Sequence, residues 1–436
     1  MNKRTHWFNI IIILISQIGL LQCAEKNEVM TFWSGALQPT SARVNVKLLK
    51  PGAGVRLVVS TNPDFSSFIE GPRGILNKAN PLMVALTING LRPNTKYYYA
   101  IETGNKPDTS ADDIGTFITP SDSAFSFQFT LGSCLHSNSH HPVFEKMLEK
   151  NPLFFLQMGD FHYDNPNSRS NINSHRLPYE HLLANTTYRN FFRHCPIAYV
   201  WDDHDFAGNN SDSLAAGKTN ARLAYREYIP SYPFDVTNAK ADAPVYQSFT
   251  IGRVHFILTD ERSSRGKPTM LGAIQKQWFK NQCLYARDHH LIIAWMSTVS
   301  FGGDGPDNWG GFPAERTELS NFFRDSQIKN MFILSGDAHM VAIDDGSHHD
   351  FSTGHNNPNQ YPVLQAAALN QSGSYKGGTF STGYFPNPND SYGQYGLVKV
   401  NDAGDSTIEI SMTGFRVNSN GNENVLTKYA FKRTLK

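Results

Sequence analysis

The stretch at residues 197–205, IAYVWDDHD, decides how the rest of the chain is interpreted. It begins with a short apolar run typical of a buried strand and ends with three aspartates placed around one histidine. Carboxylates held this close together raise each other's pKa or require a cation to neutralise them. A solvated acidic turn is the alternative. The choice depends on which other residues the chain brings to the same place.

Three other strand-like runs end in a similar group of polar residues. These groups are residues 132–136 (GSCLH), 159–163 (GDFHY) and 335–339 (SGDAH). Ligands of an open α/β sheet bind outside the carboxyl ends of its strands, so the four groups would meet at one edge if their strands are parallel neighbours. One such group is easily explained as a turn. Four groups, each offering Asp, His or Cys, predict a binding site.

The side chains in these groups favour more than one metal ion. Carboxylates suit hard cations and can bridge two of them, whereas imidazole and thiolate bind transition metals. Two metals about 3.5–4 Å apart can clamp a phosphoryl group and activate the attacking water. We therefore expect Asp203 to face a metal and His204 to face the substrate.

Apolar runs alternate with helical segments from about residue 122 onward, which predicts an α/β domain at residues 122–436. The predicted strands are residues 125–131, 153–158, 197–201, 254–259, 291–295 and 331–334, with 396–400, 407–412 and 425–431 near the C-terminus. The predicted helices are residues 143–150, 221–228, 273–283 and 314–324. Residues 346–395 are rich in Gly, Asn, Pro and Ser, which predicts a long surface loop.

The preceding region has a different pattern. Short β-rich runs such as residues 42–46 (ARVNV) and 55–59 (VRLVV) are separated by Pro, Gly and Asn. A span of about 90 residues is the right size for a β-sandwich. We predict a small all-β sandwich domain at residues 25–121. It carries no cluster of catalytic residues, so we expect it to be a spacer or a packing partner.

The N-terminus is typical of a secretion signal. Lys3 and Arg4 precede a mostly apolar stretch at residues 7–21, and cleavage near Ala24 predicts a signal peptide at residues 1–24. The mature protein would be secreted, periplasmic or otherwise extracytoplasmic. It would be a lipoprotein, and attached to a membrane, only if Cys23 is lipidated. An uncleaved anchor is the other interpretation.

Cysteines and overall charge set further limits. Beyond Cys23 the chain has Cys134, Cys195 and Cys283, an odd number for an oxidising compartment. We predict a Cys195–Cys283 disulfide, with Cys134 left as a free thiol. The 39 Lys and Arg against 38 Asp and Glu give a net charge of +1, so no nucleic-acid-binding surface is indicated.

The order Gly-Asp-x-x-Tyr, Trp-Asp-Asp-His-Asp and Ser-Gly-Asp-x-His resembles the alkaline phosphatase D family of metallophosphatases, within the calcineurin-like superfamily. Residues 132–134 (GSC) resemble that family's first motif, and the β-sandwich resembles its N-terminal fibronectin type III-like or immunoglobulin-like domain. The resemblance covers nearly the whole mature chain. It implies a layered metallophosphatase β-sandwich flanked by helices. It also implies a secreted phosphoesterase that hydrolyses phosphomonoesters, phosphodiesters or both by a metal-bridging hydroxide.

The resemblance further implies roles for individual residues. The metal ligands would be Cys134, Asp160, Tyr163, Asp203, Asp337 and His339. Asp160 would bridge two ions. Family members are associated with iron and calcium, so the resemblance implies that pair, although other divalent ions are possible. His204 would be the catalytic residue that contacts the phosphate and assists the leaving group.

Three more residues have two interpretations each. His136 fits the superfamily's metal-ligand spacing after Cys134, but relatives of the alkaline phosphatase D type often lack it. Asp202 either binds a metal or orients its loop by hydrogen bonding. Arg262 either grips the phosphate with two N–H groups or forms a surface ion pair.

Two other functions remain open. Cys134 and His136 would serve as thiol nucleophile and base in a metal-independent hydrolase, which leaves the aspartates unexplained. A non-enzymatic, calcium-stabilised surface binding module would bind ions without turnover, but it would not require His204.

Overall fold

The computed structural model describes residues 29–51, 54–74, 79–104, 106–110, 113–234 and 242–435. The predicted signal peptide and Cys23 lie outside the described residues. The strands are β1 (Val29–Gln38), β2 (Ser41–Leu48), β3 (Arg56–Ser60), β4 (Ile69–Arg73), β5 (Met83–Asn89), β6 (Lys96–Thr103), β7 (Lys106–Pro107), β8 (Gly115–Ile118), β9 (Phe127–Gly132), β10 (Phe155–Met158), β11 (Ile197–Val200), β12 (Gln247–Ile251), β13 (Val254–Leu258), β14 (Ile292–Ser297), β15 (Met331–Ser335), β16 (Met340–Asp344), β17 (Val363–Ala366), β18 (Tyr384–Pro386), β19 (Tyr392–Asp402), β20 (Thr407–Asn418) and β21 (Glu423–Thr434). The helices are α1 (Val143–Glu149), α2 (Asn173–Ala184), α3 (Thr186–His194), α4 (Asp203–Phe206), α5 (Lys218–Tyr228), α6 (Gly272–Asp288) and α7 (Pro313–Asp325), with a 3₁₀ turn at Trp309–Gly311.

Across this part of the chain the strands form three sheets. The first has nine strands in the order β21-β20-β19-β9-β10-β11-β1-β2-β5. The second has seven strands in the order β12-β13-β14-β15-β17-β16-β18. The third is smaller, in the order β4-β3-β6-β7, with β8 also paired to β6. Strands β9, β10 and β11 are parallel neighbours in the first sheet, and β13, β14 and β15 are parallel neighbours in the second.

The first two sheets pack face to face through aromatic side chains. Phe129 of β9 meets Phe256 of β13 edge to face, with ring centroids 5.4 Å apart. Helices cover the outer faces: Phe191 of α3 packs on β10, and Phe279 of α6 packs on Trp295 of β14. This helix–sheet–sheet–helix layering confirms the predicted α/β sandwich flanked by helices.

The N-terminal strands form a small sandwich that shares one of its sheets with the rest of the molecule. Strands β2 and β5 bury a common core against β3, β6 and β8, with Val44 and Leu57 among its residues. Strand β1 joins β2 to β11 in the nine-stranded sheet, where Gly35 pairs with Ile197. A Cβ at Gly35 would lie 2.6 Å from the carbonyl oxygen of Ile197, so only glycine permits this approach. The domain boundary at residue 121 stays a prediction.

Two local predictions are corrected. The segment at 346–395 contains β17 and β18 and is not one continuous loop. The Cys195–Cys283 disulfide is wrong, because both thiols are free and buried. Cys195 directly follows α3 and belongs to one core cluster, whereas Cys283 lies on α6 in a second cluster that it shares with α7. Cys134 is a free thiol, as expected. None of the described helices is both long and apolar enough to cross a membrane.

Candidate active site

The four polar groups meet between the two large sheets. Three of them follow the parallel strands β9, β10 and β11, and the fourth follows β15 of the facing sheet. The backbone N–H of Asp337 donates to Ser133 Oγ at 3.2 Å, and Cys134 Sγ lies 3.6 Å from the Asp337 carbonyl oxygen. The site is therefore assembled across the sandwich and not along the edge of one sheet.

Three of the predicted ligands have left-handed backbone conformations. Their φ angles are 63° at Cys134, 51° at Asp160 and 61° at Asp337. For residues with a Cβ, this conformation costs about 1–2 kcal/mol each. Each follows the end of a strand, and each turns its side chain toward the same space. Such strain persists only where the surrounding structure imposes it, and it is common at functional sites.

Four of the predicted ligands form one group. The Tyr163 hydroxyl donates to Asp160 Oδ2 at 2.9 Å and lies 3.2 Å from His339 Nε2. Cys134 Sγ lies 3.5 Å from the same Asp160 oxygen. His339 Nδ1 lies 2.9 Å from the carbonyl oxygen of Ser372, to which it donates, so Nε2 keeps its lone pair toward the group. Thiol, phenol, carboxylate and imidazole together form a donor set for a transition metal.

A second group shares Asp160. One ligand atom each from Asp160, Asp203 and His204 lies within 4.8 Å of the others. Asp337, whose carbonyl oxygen lies 3.6 Å from Cys134 Sγ, brings a further carboxylate to the site, and its buried Oδ2 has no hydrogen-bond partner among the described residues. A buried carboxylate oxygen without a donor is costly unless a cation or water satisfies it. The residues present therefore fit a second, oxygen-ligated ion.

The electrostatics of both groups favour cations. Burial, followed by the negative charge of Asp203, raises the pKa of Asp160 well above its usual range. Burial and the charges of Asp160 and Asp337 likewise raise the pKa of the Cys134 thiol. Burial lowers the pKa of His339 to about 4, so its imidazole is neutral. Negative groups crowded into a dry site ionise together only when positive charge is bound between them.

The three aspartates of the opening motif have three different partners. Asp202 pairs with Arg262, with Oδ1–Nε and Oδ2–Nη2 distances of 2.5 and 3.0 Å. Asp205 accepts from the backbone N–H groups of Phe161 at 2.9 Å and Asp202 at 2.7 Å. Only Asp203 faces the ligand groups. In this motif Asp203 is therefore the predicted ligand, and the buried, hydrogen-bonded carboxylates of Asp202 and Asp205 hold the chain on either side of it.

Arg262 departs from both interpretations given to it. Its side chain is fully buried, and it bonds Asp307 at 2.9 Å as well as Asp202, so it is not a surface ion pair. With its guanidinium enclosed in this way, it does not reach out to grip a phosphate. Its Nη2 lies 3.9 Å from Asp203 Oδ2. Burial alone would raise the pKa of Asp203, but the charges of Arg262 and His204 hold it below its usual value.

Asp202 and His136 are also placed by these contacts. Both carboxylate oxygens of Asp202 are engaged by Arg262, and Thr298 donates to one of them at 3.0 Å. This matches the loop-orienting interpretation of Asp202 better than metal binding. His136 is exposed, and its Nδ1 accepts the backbone N–H of Asn138 at 3.3 Å. No hydrogen bond or ion pair of the described residues links its ring to the other predicted ligands.

His204 is held by a residue that sequence reasoning missed. Asn165 Nδ2 donates to the Tyr163 carbonyl oxygen at 2.9 Å, which fixes the amide orientation. Asn165 Oδ1 then lies 2.6 Å from His204 Nδ1 and accepts a hydrogen bond from its N–H. Nε2 is left to exchange a proton with a substrate. Asn165 stands two positions beyond Tyr163 in an ordinary turn sequence, so no motif marks it.

Two further charged residues at the site were not among the predicted site residues. Asp307 accepts from Arg262 and from Arg265, the latter at 2.8 Å. Lys376 lies on the chain between β17 and β18, with Nζ 3.3 Å from Asp337 Oδ1. Lys376 lies in a Gly- and Ser-rich segment without a recognisable motif, so the sequence did not predict it as a site residue.

A further acidic cluster lies elsewhere. Asp344, Asp345 and His348 also bring potential ligand atoms within 4.8 Å of each other. However, both oxygens of Asp344 already accept from N–H groups, among them the ring of His348 at 2.7 Å. This is a hydrogen-bonded turn.

The fold and the donor set define a metallophosphatase. The solved structure of PhoD superposes with a TM-score of 0.71 at 18% identity, covering 91% of this chain and 92% of that one. A purple acid phosphatase, PPD1 from yellow lupin (Lupinus luteus) seeds, superposes with a TM-score of 0.54 at 10% identity, covering 94% and 75% of the two chains. Both likenesses concern the fold.

The sequence comparison is more specific. The family model of the PhoD-like phosphatases matches residues 127–379, more than half of the chain, and the protein belongs to that family. Alkaline phosphatase D of Bacillus subtilis (strain 168) is 24% identical over an alignment of 313 residues, and the match covers 59% of this chain and 53% of the relative. The chain thus spans about half the length of that relative. Every candidate site residue lies within the matched segment, and the predicted resemblance is confirmed.

Proposed function

We propose that the protein is a metal-dependent phosphoesterase acting on phosphomonoesters, phosphodiesters or both. The observation that carries the proposal is the convergence of the predicted ligands on the carboxylate of Asp160. Cys134 and Tyr163 contact that carboxylate, and the Tyr163 hydroxyl also contacts His339. Asp203 and His204 each offer a ligand atom within 4.8 Å of it. His204 stands beside them, with its ring 4.1 Å from that of Tyr163.

The two donor groups suit different ions. Thiolate, phenolate and imidazole at the first group favour iron, whereas the carboxylates of the second favour a hard ion such as calcium. Bound ions at these positions supply Lewis-acid stabilisation of a phosphoryl group and a nucleophilic water at neutral pH. We propose iron plus calcium as the resident pair.

The chain's own residues supply the rest of the chemistry. Asn165 holds His204 through Nδ1–H, so that the doubly protonated imidazolium can give its Nε2 proton to the departing alcohol oxygen. Arg262 and Asp202 fix the loop that carries Asp203, since their buried pair leaves neither side chain free to move. Because these groups are preorganised in a buried site, charge that develops on the phosphoryl group is stabilised without reorganisation.

The metal-independent alternative finds no support in the geometry. Cys134 is fully buried and contacts Asp160, whereas His136 is exposed and bonded within its own loop. A thiol nucleophile requires a base within hydrogen-bond reach and a lowered pKa, and burial raises the pKa of Cys134. No observation favours the binding-module alternative.

We further propose that the protein acts outside the cytoplasm, on the basis of the predicted signal at residues 1–24. The protein would then be either free of lipid or attached to a membrane by a lipid on Cys23. Mass spectrometry of the mature N-terminus would distinguish these two forms. The partner required is a phosphate ester substrate.

The proposal is tested by hydrolysis of chromogenic phosphomonoesters and phosphodiesters before and after exhaustive chelation. We expect activity to disappear on chelation and to return when iron and calcium are added together. Turnover that persists in protein shown by elemental analysis to be free of metal would contradict the proposal. The ratio of the two substrate rates then assigns the monoester or diester preference.

A further inference from the structure

Lys376 brings a positive charge to the site from a loop that no motif covers. Its Nζ lies 3.3 Å from Asp337 Oδ1 and 3.7 Å from Asp307 Oδ2. The loop is tied to the site through His339, whose backbone N–H donates to the Ser374 carbonyl oxygen at 3.2 Å and whose Nδ1 bonds Ser372. Lys376 is therefore positioned by the same residue that we assign to the first ion.

Neither carboxylate is a dedicated partner of Lys376. Asp307 already accepts from Arg262 and Arg265, and Asp337 is a proposed metal ligand. Its ammonium group thus lies against the carboxylate of Asp337, one of the proposed ligands that a phosphoryl group must approach to react.

Two exposed tyrosines lie beside this lysine. Tyr375 precedes it, and Tyr384 begins β18 and pairs with Ala342 of β16, three positions after His339. Their rings stack with centroids 4.8 Å apart and an interplanar angle of 26°, while the residues remain 44% and 48% exposed. Exposed aromatic surface of this kind suits contact with another planar group.

We propose that Lys376, Tyr375 and Tyr384 form a substrate subsite for phosphate esters whose alcohol part carries a planar ring. Lys376 binds a non-bridging phosphoryl oxygen, and the tyrosine pair contacts the ring. This inference rests on the proposed function and extends it from phosphate esters in general to a class of alcohol.

The lysine is tested by Lys376→Met, with Lys376→Arg as the conservative variant. Lys280→Met is a matched control, because Lys280 is 19% exposed against 21% for Lys376 and pairs with Glu318 at 2.7 Å on the outer helices. We expect Lys376→Met to raise both KM and the inhibition constant of inorganic phosphate about 10-fold. Lys376→Arg restores most of that loss, and the control changes neither constant.

Metal content and melting temperature separate this role from a structural one. If Lys376→Met loses metal or stability while KM and phosphate inhibition are unchanged, Lys376 only neutralises Asp337 and Asp307, and the inference is overturned. If the metal-loaded wild type hydrolyses no phosphate ester, the proposed function fails and the subsite falls with it. If the wild type is active and the variant is indistinguishable from it, the subsite alone is wrong.

The tyrosine pair is tested by the double substitution Tyr375→Ala and Tyr384→Ala. We expect KM to rise several-fold for phenyl phosphate and to stay constant for glycerol phosphate, because only the aryl ester offers a ring to stack. Equal changes for both substrates, or no change for either, would overturn the assignment of the pair to the alcohol group.

Discussion

Asp202, Asp203 and Asp205 are adjacent in the sequence, but the structure gives each a separate task. Asp202 holds Arg262, Asp205 holds the turn after β10, and Asp203 is left to face the ligand groups. The sequence indicated a cation here, with a solvated acidic turn as the alternative. It did not show that one of the cations is the chain's own Arg262, because Arg262 is 60 positions from Asp202.

Removing the Asp203 carboxylate should empty one ion position. We expect Asp203→Asn to lose about one metal equivalent and to lower kcat/KM at least 100-fold, since even outer-shell changes at metal sites cost 10–100-fold. Elemental analysis and kinetics on the same sample give the result. Asp325→Asn, on the exposed end of α7, is the control. A variant with full metal content and full activity would remove Asp203 from the ligand set.

Replacing His204 should separate metal binding from proton transfer. We expect His204→Ala to keep its metal and to lose about 10²–10⁴-fold in turnover of alkyl phosphates, whose poor leaving groups need a proton. The loss should be much smaller for 4-nitrophenyl phosphate. Asn165→Ala should show the same leaving-group pattern more weakly. An effect independent of the leaving group would contradict the acid role.

At the scale of the secondary-structure elements, the apolar runs predicted most of the strands that carry the site. The periodicity of β9, β10, β11 and β15 is local, so it can be read from the sequence. Which sheet a strand joins depends on contacts far apart along the chain, so the facing position of β15 could not be predicted. Helix α2 was missed because Pro178 and several polar residues obscure its pattern.

The turn after β10 depends on Gly159. A Cβ there would lie 2.4 Å from Asp202 Cβ, and φ is +88°. We expect Gly159→Ala to lower the free energy of unfolding by more than about 2 kcal/mol and to reduce metal content. Gly404→Ala is a close control, with φ of +86° and its nearest neighbour 3.8 Å away. Denaturant unfolding of both variants separates the cost of the steric clash at Gly159 from the cost of the left-handed backbone, which both variants share. Equal losses in the free energy of unfolding would contradict the steric role of Gly159.

On the scale of the whole molecule, a buried histidine makes the stability of the fold depend on pH. His255 bonds Thr250 at 2.8 Å and Gln282 at 3.0 Å, and burial lowers its pKa from 6.5 to about 4. The unfolded chain binds the proton more readily, so this histidine's contribution to stability falls as pH drops from 6.5 toward 4. The loss is up to about 1.4 kcal/mol per pH unit. Unfolding of His255→Gln across this range should show a shallower slope; an unchanged slope would contradict this.

The cysteines give a second test at this scale. Cys134, Cys195 and Cys283 lie in separate parts of the interior as free thiols, so spacing along the chain was a poor guide to pairing. Alkylation after denaturation without reductant should label all three, and reductant should leave the melting temperature unchanged. A tryptic peptide linking Cys195 to Cys283 would show that the two cores are arranged differently.

We propose that this chain hydrolyses phosphate esters only with ions bound between Asp160 and its neighbours. The most direct measurement is metal content and turnover followed together on one sample during chelation and reconstitution. We predict two ions per active chain, with activity that falls as metal leaves and returns with it. Turnover that continues in chains shown to hold no metal would contradict the claim.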